Sequence, residues 1–173
     1  MKRLGLLRHA KSDWSDSDLR DYDRDLNARG CRGARIMGRH IREHGTAWDM
    51  VVASPAQRVR TTLQHALPDV PVVWDRRLYL ASADTIVEVL HEAEGDTVLL
   101  AGHNPGMGNI ILDLVAPDAE NAMFDEAVVK FPTAAFAVLE LDIEHWGDLA
   151  RHSGRLVHFK RPRDLDPDLG PEY

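Results

Sequence analysis

The sequence predicts an α/β domain built on a mostly parallel β-sheet that helices cover on both faces. Short apolar segments with strand character alternate with longer amphipathic segments along the chain. The strand candidates are almost continuously apolar, as in LGLL at 4–7 and VLLA at 98–101. Such runs are typical of parallel strands that are buried on both faces, and the helices between them supply the crossover connections.

Composition narrows the class of protein further. With 173 residues and 44% hydrophobic content, the chain is long enough for one globular domain, which we place at 1–160. The net charge of -7 argues against binding nucleic acid or an anionic membrane through overall charge, although it leaves room for a small basic pocket. Cys31 is the single cysteine, which excludes a disulfide framework. Because no signal peptide or membrane-spanning run is evident, we expect a cytoplasmic protein.

The N-terminal half is predicted to run strand, loop, helix, strand, helix. In order, these elements are expected at 3–7, 13–27, 28–44, 48–55 and from residue 54 onward. Gly45 is placed to end the first helix. Ser54 is the candidate N-cap of the second helix, with Pro55 at its favoured first position. The loop is strongly acidic, and we leave open whether it is simply solvated or orients substrates over a site.

The C-terminal half continues the alternation. Strands are expected at 70–75, 96–104, 127–141 and 155–160, and helices at 82–93 and 105–115. Ser82 is a candidate cap for the first of these helices. The last segment, 161–173, is rich in proline and aspartate, so we expect an extended tail.

Charged and titratable side chains follow three of the predicted strands. Arg8 and His9 follow the first, Arg58 comes after the second, and His103 with Asn104 follows the fourth. Ligands of open α/β sheets bind at the carboxyl ends of the parallel strands, so these residues are expected to meet at one edge. Arginine binds phosphate oxygens in a bidentate manner, and fixed cations stabilise phosphoryl transfer. The pattern therefore predicts a phosphate site, with Asn104 bracing a turn beside it.

The segments LLRHAKSDW, VVASPAQRVRTT and VLLAGHNPGM, in this order and spacing, resemble the histidine phosphatase superfamily, in the branch that includes the phosphoglycerate mutases. RHAKSDW followed by DYDRDLNARG is more narrowly similar to the SixA-type phosphohistidine phosphatases. The resemblance extends from residue 3 to about 160. It implies a three-layer sandwich of about six strands, with helices on both faces.

The resemblance also implies roles for individual residues. His9 would be the nucleophile that forms a phosphohistidine intermediate, which water then hydrolyses, while Arg8, Arg58 and His103 would hold the phosphate. Lys11 and Ser12 follow the nucleophile and are candidates for the entrance of the site, although an ordinary loop role is equally open for both. No metal or organic cofactor is implied. His40 and His44 share a helical spacing, but no third zinc ligand accompanies them.

One departure from the family bears on the substrate. The stretch RRLYLASADTIVEVL lacks the glutamate with which many relatives protonate the leaving oxygen. Asp84 is the nearest candidate acid, but it also suits a charge at a helix N-terminus. An imidazole leaves phosphorus more readily than an alkoxide does, so the substrate is expected to be phosphohistidine, on a protein or a small molecule. The alternatives are a general phosphomonoesterase or mutase acting on a small phosphorylated metabolite, and a phosphate- or phosphoprotein-binding module without turnover.

Overall fold

Six strands form one sheet at the centre of the computed structural model, which describes residues 1–170. In chain order they are β1 (Lys2–Arg8), β2 (Met50–Ala53), β3 (Val73–Trp74), β4 (Thr97–Gly102), β5 (Phe136–Leu141) and β6 (Gly154–Lys160). Across the sheet the order is β3-β2-β4-β1-β5-β6. The first four strands are parallel, and β5 is antiparallel to both of its neighbours. The prediction of a mostly parallel sheet of about six strands is confirmed.

Helices cover both faces of the sheet. They are α1 (Ala28–His44), α2 (Gln57–Ala66), α3 (Ala83–His91), α4 (Gly106–Leu114), α5 (Ala122–Val129) and α6 (Pro162–Leu165). Alternate residues of β4 show the two layers, because Leu99 and Ala101 pack with α1 and α2 whereas Val98 and Leu100 pack with α3, α4 and α5. The three-layer α/β sandwich is therefore confirmed.

The helix α1 lies where the sequence places it because its end signals are local. The side chain of Asn27 accepts a hydrogen bond from the Gly30 amide at 2.7 Å, which caps the N-terminus. Gly45 ends the helix with a φ of 89°, a left-handed conformation that glycine adopts without strain. Within the helix, a Cβ at Gly38 would come within 2.3 Å of the Ala66 carbonyl oxygen, so the absence of a side chain lets α1 approach α2.

The predicted start of the second helix is wrong. It begins at Gln57 rather than at Pro55, and its N-cap residue Ala56 offers no side-chain cap. The hydroxyl of Ser54 is fully buried and lies 2.8 Å from Nε2 of His103, on the neighbouring strand's carboxyl end. The same hydroxyl also accepts a hydrogen bond from the Ala56 amide at 3.3 Å, so Ser54 supports the start of the helix locally and also bonds to His103 on the neighbouring strand.

Two strand predictions are also corrected. The region 127–141 is not strand throughout, because α5 extends to Val129 and β5 begins only at Phe136. The side chain of Asn121, which precedes the apolar run, accepts from the Phe124 amide at 2.9 Å and caps α5. The predicted strand at 70–75 is reduced to the two residues of β3 at the sheet edge, where Pro71 has no amide to donate.

The expectation of an extended C-terminal tail is wrong for residues 161–170. This segment forms α6 and a short 3-10 turn at Pro167–Leu169. It folds against α1, where Arg32 forms an ion pair with Asp166 and Arg29 donates to the Gly170 carbonyl oxygen. The rest of the predicted tail, 171–173, lies outside the described residues. Among the helices of residues 1–170, none is both long and apolar enough to cross a bilayer.

Candidate active site

The carboxyl ends of β1, β2 and β4 meet at one edge of the sheet and open into a cavity of about 270 Å³. Arg8 at the end of β1 pairs with Gly102 at the end of β4, so the residues that follow these strands are neighbours. Arg8, His9, Arg58 and His103 all line this cavity. The structure thus brings together the four residues that the sequence places after three separate strands. We call this space the catalytic cavity.

His9 lies in the wall of the catalytic cavity with its ring orientation fixed. The ring is 7% exposed, and Nδ1 lies 2.8 Å from the carbonyl oxygen of Ala10. A carbonyl oxygen only accepts, so Nδ1 carries the proton and Nε2 keeps its lone pair. Burial, with the charges of Arg8, Arg58 and Arg24, lowers the pKa of His9 to about 3, although the bond to Ala10 opposes this shift. The ring is therefore neutral near pH 7 and has a nitrogen available for attack.

His103 faces His9, with 5.3 Å between the ring centroids, and is held from both sides. Its Nε2 donates to the Ser54 hydroxyl at 2.8 Å, and its Nδ1 accepts from a terminal nitrogen of Arg58 at 3.4 Å. Burial, followed by the charges of His9, Arg58 and Arg8, lowers the pKa of His103 to about 3. In the absence of a bound anion, this imidazole is neutral as well.

The two arginines differ in how their donors are used. Arg8 donates from one terminal nitrogen to the carbonyl oxygen of Phe131 at 3.0 Å, while its buried Nε has no hydrogen-bond partner among the described residues. Arg58 is nearly fully buried and donates to the backbone oxygen of Asp21 at 2.7 Å and to its Oδ2 at 2.9 Å. Burial lowers the pKa of both guanidinium groups from their usual range, yet arginine stays charged in proteins. The half-buried Arg8 and the buried Arg58 at the wall of one cavity make it suited to an anion.

Asp21 brings the acidic loop into the catalytic cavity, which sequence reasoning missed. Its carboxylate contacts Arg58 and Arg24 and accepts a hydrogen bond from the Tyr79 hydroxyl. In the sequence, Asp21 is one of six aspartates between residues 13 and 25, and nothing local separates it from its neighbours. The fold of the loop places Asp21 against Arg58, and the bonds to Asp21 hold the Arg58 guanidinium in position.

The segment after His9 forms the mouth of the catalytic cavity. Lys11 is exposed, Ser12 is buried, and both line the cavity. Trp14 is 69% exposed, and the guanidinium carbon of Arg24 lies 3.6 Å from the centroid of its ring. A bridge between Ser12 and Leu26 joins this segment to the far end of the acidic loop. Arg24 and Trp14 were not predicted as site residues, because an arginine and a tryptophan in a polar loop are usually surface residues.

Of the two remaining candidates, Asn104 lies at the site and Asp84 does not. Asn104 lines the catalytic cavity and braces the turn as expected, since Nδ2 donates to Phe131 O at 2.8 Å and Oδ1 accepts from the Gly108 amide at 3.2 Å. Asp84 is exposed in the first turn of α3 and does not line the cavity, so the structure does not bring it to the site. Over residues 1–170 no group of three or more His, Cys, Asp or Glu side chains is arranged to hold a metal ion.

Comparisons with known proteins agree with this geometry. The sequence model of the histidine phosphatase superfamily (branch 1) matches residues 4–79, which include Arg8, His9 and Arg58. The protein Rv1276c of Mycobacterium tuberculosis is 37% identical over 161 residues, which cover 91% of this chain and all of the relative. A solved structure from Nakamurella multipartitia, whose assignment as phosphohistidine phosphatase SixA is provisional, is 32% identical, with a TM-score of 0.82 over 93% of this chain and 96% of its own. The chain belongs to the histidine phosphatase superfamily.

The superfamily match, together with the likeness to the Nakamurella multipartitia structure, assigns the chain as a phosphatase. A further solved structure, the protein histidine phosphatase SixA in complex with tungstate, superposes with a TM-score of 0.75 over 95% of this chain and 99% of its own. At 20% identity, that likeness supports the fold alone. The general activity rests on the superfamily match and on the Nakamurella multipartitia structure.

Proposed function

We propose that this phosphatase hydrolyses phosphohistidine through a covalent phosphoryl group on Nε2 of His9. The observation that carries the proposal is the state of the His9 ring. It is neutral, its Nδ1 proton is held by Ala10, and it lines a cavity walled by Arg8, Arg58 and His103. A fixed neutral imidazole with a free nitrogen is a competent nucleophile for phosphorus.

In the first step, the Nε2 lone pair of His9 attacks phosphorus, and the bond between phosphorus and the substrate nitrogen breaks. The leaving imidazole carries away the bonding electron pair and takes a proton from solvent. Arg8 and Arg58 balance the charge on the phosphoryl oxygens during the transfer. The bound dianion also favours protonation of His103, which can then donate to a phosphoryl oxygen.

In the second step, a water oxygen attacks phosphorus and the bond to Nε2 of His9 breaks. The water releases a proton to solvent, inorganic phosphate leaves, and His9 returns to its neutral form. The same cations serve both steps because the phosphoryl group moves by only the length of the transferred bond. The hydrogen bond from Nδ1 to Ala10 holds the ring in place throughout.

The choice of phosphohistidine follows from the carboxylates near His9. Among the described residues, Asp21 supplies the carboxylate of the catalytic cavity, and its oxygens already accept from Arg58, Arg24 and Tyr79. A general acid would have to give up one of these contacts to hold a proton. An imidazole needs less assistance to leave than an alkoxide, so the site suits a phosphoramidate better than an alkyl phosphate.

The test is to incubate the protein with phosphohistidine or with a chromogenic phosphate ester, quench the reaction, and examine the protein for phosphate that is labile to acid and stable to base. We expect this adduct on the unaltered protein and none on His9→Ala. The exposed His145 does not line the cavity, so His145→Ala should behave as the parent does. Full turnover by His9→Ala would overturn the mechanism. Hydrolysis of the ester without hydrolysis of phosphohistidine would contradict the proposed substrate and would indicate a general phosphomonoesterase.

A further inference from the structure

A second cavity of about 350 Å³ lies beside the catalytic cavity and shares part of its wall. Arg8, Lys11 and Thr133 line both spaces. The second cavity lies between the N-terminal half of α1, the segment that leads from α5 into β5, and the C-terminal segment that carries α6. We call it the basic pocket, because of the side chains that line it.

The charge of the basic pocket is of one sign. Its lining includes six cationic side chains, those of Arg8, Lys11, Arg29, Lys130, Arg161 and Arg163. Within residues 1–170, no aspartate or glutamate lines it. The chain as a whole has 28 acidic and 21 basic residues, so this concentration runs against the net charge of -7.

Several of these cations form no ion pair with the residues that the structure describes. Arg161 is neutralised locally by Asp164, at 2.9 Å. In the part of the chain that the structure describes, Lys11, Lys130 and Arg163 form no ion pair. Like charges that converge in a concave site repel one another, and a bound anion relieves that repulsion. The basic pocket is thus built to hold negative charge.

Small residues and the path of the backbone determine the shape of the basic pocket. Gly30 and Gly33 of α1 form part of the lining together with Ala134, so small residues keep the space between the cations open. A Cβ at Gly30 would lie 2.1 Å from the carbonyl oxygen of Lys11, which shows how closely α1 approaches the segment after His9. The segment at 161–170, which was expected to be extended, closes the other side by folding onto α1.

We propose that the basic pocket binds a second anionic group of the substrate, a carboxylate or a phosphate, while the transferred phosphoryl group occupies the catalytic cavity. The proposal rests on the proposed function only in placing the phosphoryl group beside His9. Arg8 joins the two spaces, since it lines both and its buried Nε has no partner among the described residues. The anionic group can come from a small molecule with two charged ends or from an acidic side chain near the phosphohistidine of a protein.

The first arm of the test measures distance with alkane bisphosphonates, which cannot be hydrolysed. Chains of one to six carbons are compared, as inhibitors of chromogenic ester turnover, with alkyl monophosphonates of the same length. We expect one bisphosphonate length to inhibit about tenfold more strongly than its monophosphonate partner, because it reaches both spaces. In Lys130→Ala and in Arg163→Ala that ratio should fall towards one. Arg151→Ala, which removes an exposed cation outside both linings, should keep it.

The second arm identifies the source of the anion. Phosphohistidine peptides with aspartate or glutamate neighbours are compared with peptides in which asparagine or glutamine replaces them. A higher kcat/KM for the acidic peptides, lost in Lys130→Ala and Arg163→Ala, assigns the pocket to a protein substrate. A gain confined to the bisphosphonates assigns it to a small molecule.

The proposal is overturned if neither arm shows a gain from the second charge, or if the gain survives in both variants. Failure of the proposed function would look different. It would leave His9 without covalent phosphate in the quench experiment, yet the inhibition ratios of the first arm could still be measured on ester turnover.

Discussion

His9 combines two properties that conflict in most sites: it is buried among cations and it keeps a reactive lone pair. The neighbouring arginines by themselves would suggest that His9 only helps to bind an anion. Burial and the neighbouring guanidinium groups lower its pKa to about 3, so the ring stays neutral where a free histidine would begin to gain a proton. The phosphate-binding charges therefore also keep the nucleophile unprotonated.

This leads to a prediction about titration. In the ligand-free protein, the ring protons of His9 and His103 should show no titration midpoint between pH 8 and 5, since the pKa of each is lowered to about 3. NMR titration of the ring C–H signals, assigned with His9→Gln and His103→Gln, measures this directly. A midpoint near the ordinary value of about 6.5 for either ring would contradict the electrostatic account.

Asp21 gives a prediction about anion affinity. Asp21→Asn keeps the size of the side chain and removes a negative charge that contacts Arg58 and Arg24. We expect inorganic phosphate to inhibit this variant roughly two- to fivefold more strongly, since a partly exposed charge pair is worth about 0.4 to 1 kcal/mol.

The control for Asp21→Asn is Asp23→Asn in the same loop. Asp23 pairs with the exposed Arg20 and does not line the catalytic cavity. An equal change in both variants, or weaker phosphate inhibition in Asp21→Asn, would show that Asp21 does not compete with the phosphate for the arginines.

The helix α1 supports the site through its glycines as well as through its caps. Two glycines one turn apart on this helix face very different surroundings. A Cβ at Gly30 would meet the Lys11 carbonyl oxygen at 2.1 Å, whereas a Cβ at Gly33 would meet its nearest neighbour, the Cβ of Ala134, at 4.0 Å. The first position therefore depends on the missing side chain and the second does not.

A matched pair of alanine variants tests this difference. Gly30→Ala should lower the free energy of unfolding by about 1 to 3 kcal/mol, the usual cost of forcing extra atoms into a packed site. It should also reduce kcat/KM, because the displaced backbone at Lys11 lies two residues after His9. Gly33→Ala should raise stability by about 0.5 to 1 kcal/mol, since alanine favours the helix. Urea unfolding measures both values, and similar values for the two variants would contradict this account of α1.

The whole fold is expected to respond to acid through histidines outside the catalytic cavity. His40 and His44 of α1 pack against His158 of β6, with ring centroids 5.1 and 4.4 Å from that of His158. Burial lowers the pKa of all three, and for His158 burial, His44, His40 and Lys160 together lower it to about 4. Each is neutral in the folded protein at a pH where the unfolded chain is already protonated.

The sign of the effect on stability follows from these shifts. Above about pH 6.5 both states are neutral and the full stability is present, and stability falls as the pH drops from about 6.5 towards 4. Replacing His158 by phenylalanine should make the free energy of unfolding depend less steeply on pH in this interval. His145→Phe, at an exposed position away from the cluster, should leave the slope as it is. Denaturant unfolding at a series of pH values measures the slopes, and equal slopes for His158→Phe and the unaltered protein would contradict the assignment.

The parts of the structure that were predictable from sequence are those with local causes. The helix α1 has an N-cap at Asn27 and a terminating glycine at Gly45. The apolar runs of β1 and β4 identify buried parallel strands, and parallel strands present their carboxyl ends at one edge. Arg8, His9 and His103 are therefore expected to meet, because they follow parallel strands whose carboxyl ends lie at the same edge of the sheet.

What the sequence left open was settled by contacts between residues far apart in the chain. Ser54 bonds to His103 on the neighbouring strand in addition to its local bond to the Ala56 amide, and Asp21 differs from the other loop aspartates only because the fold places it against Arg58. The basic pocket is the clearest case, since its lining runs from Arg8 to Gly170 and draws on segments that are polar loops or tail when read locally. Charge and hydrogen-bonding energies depend on distance in space, so only the tertiary structure could decide which of these side chains act together.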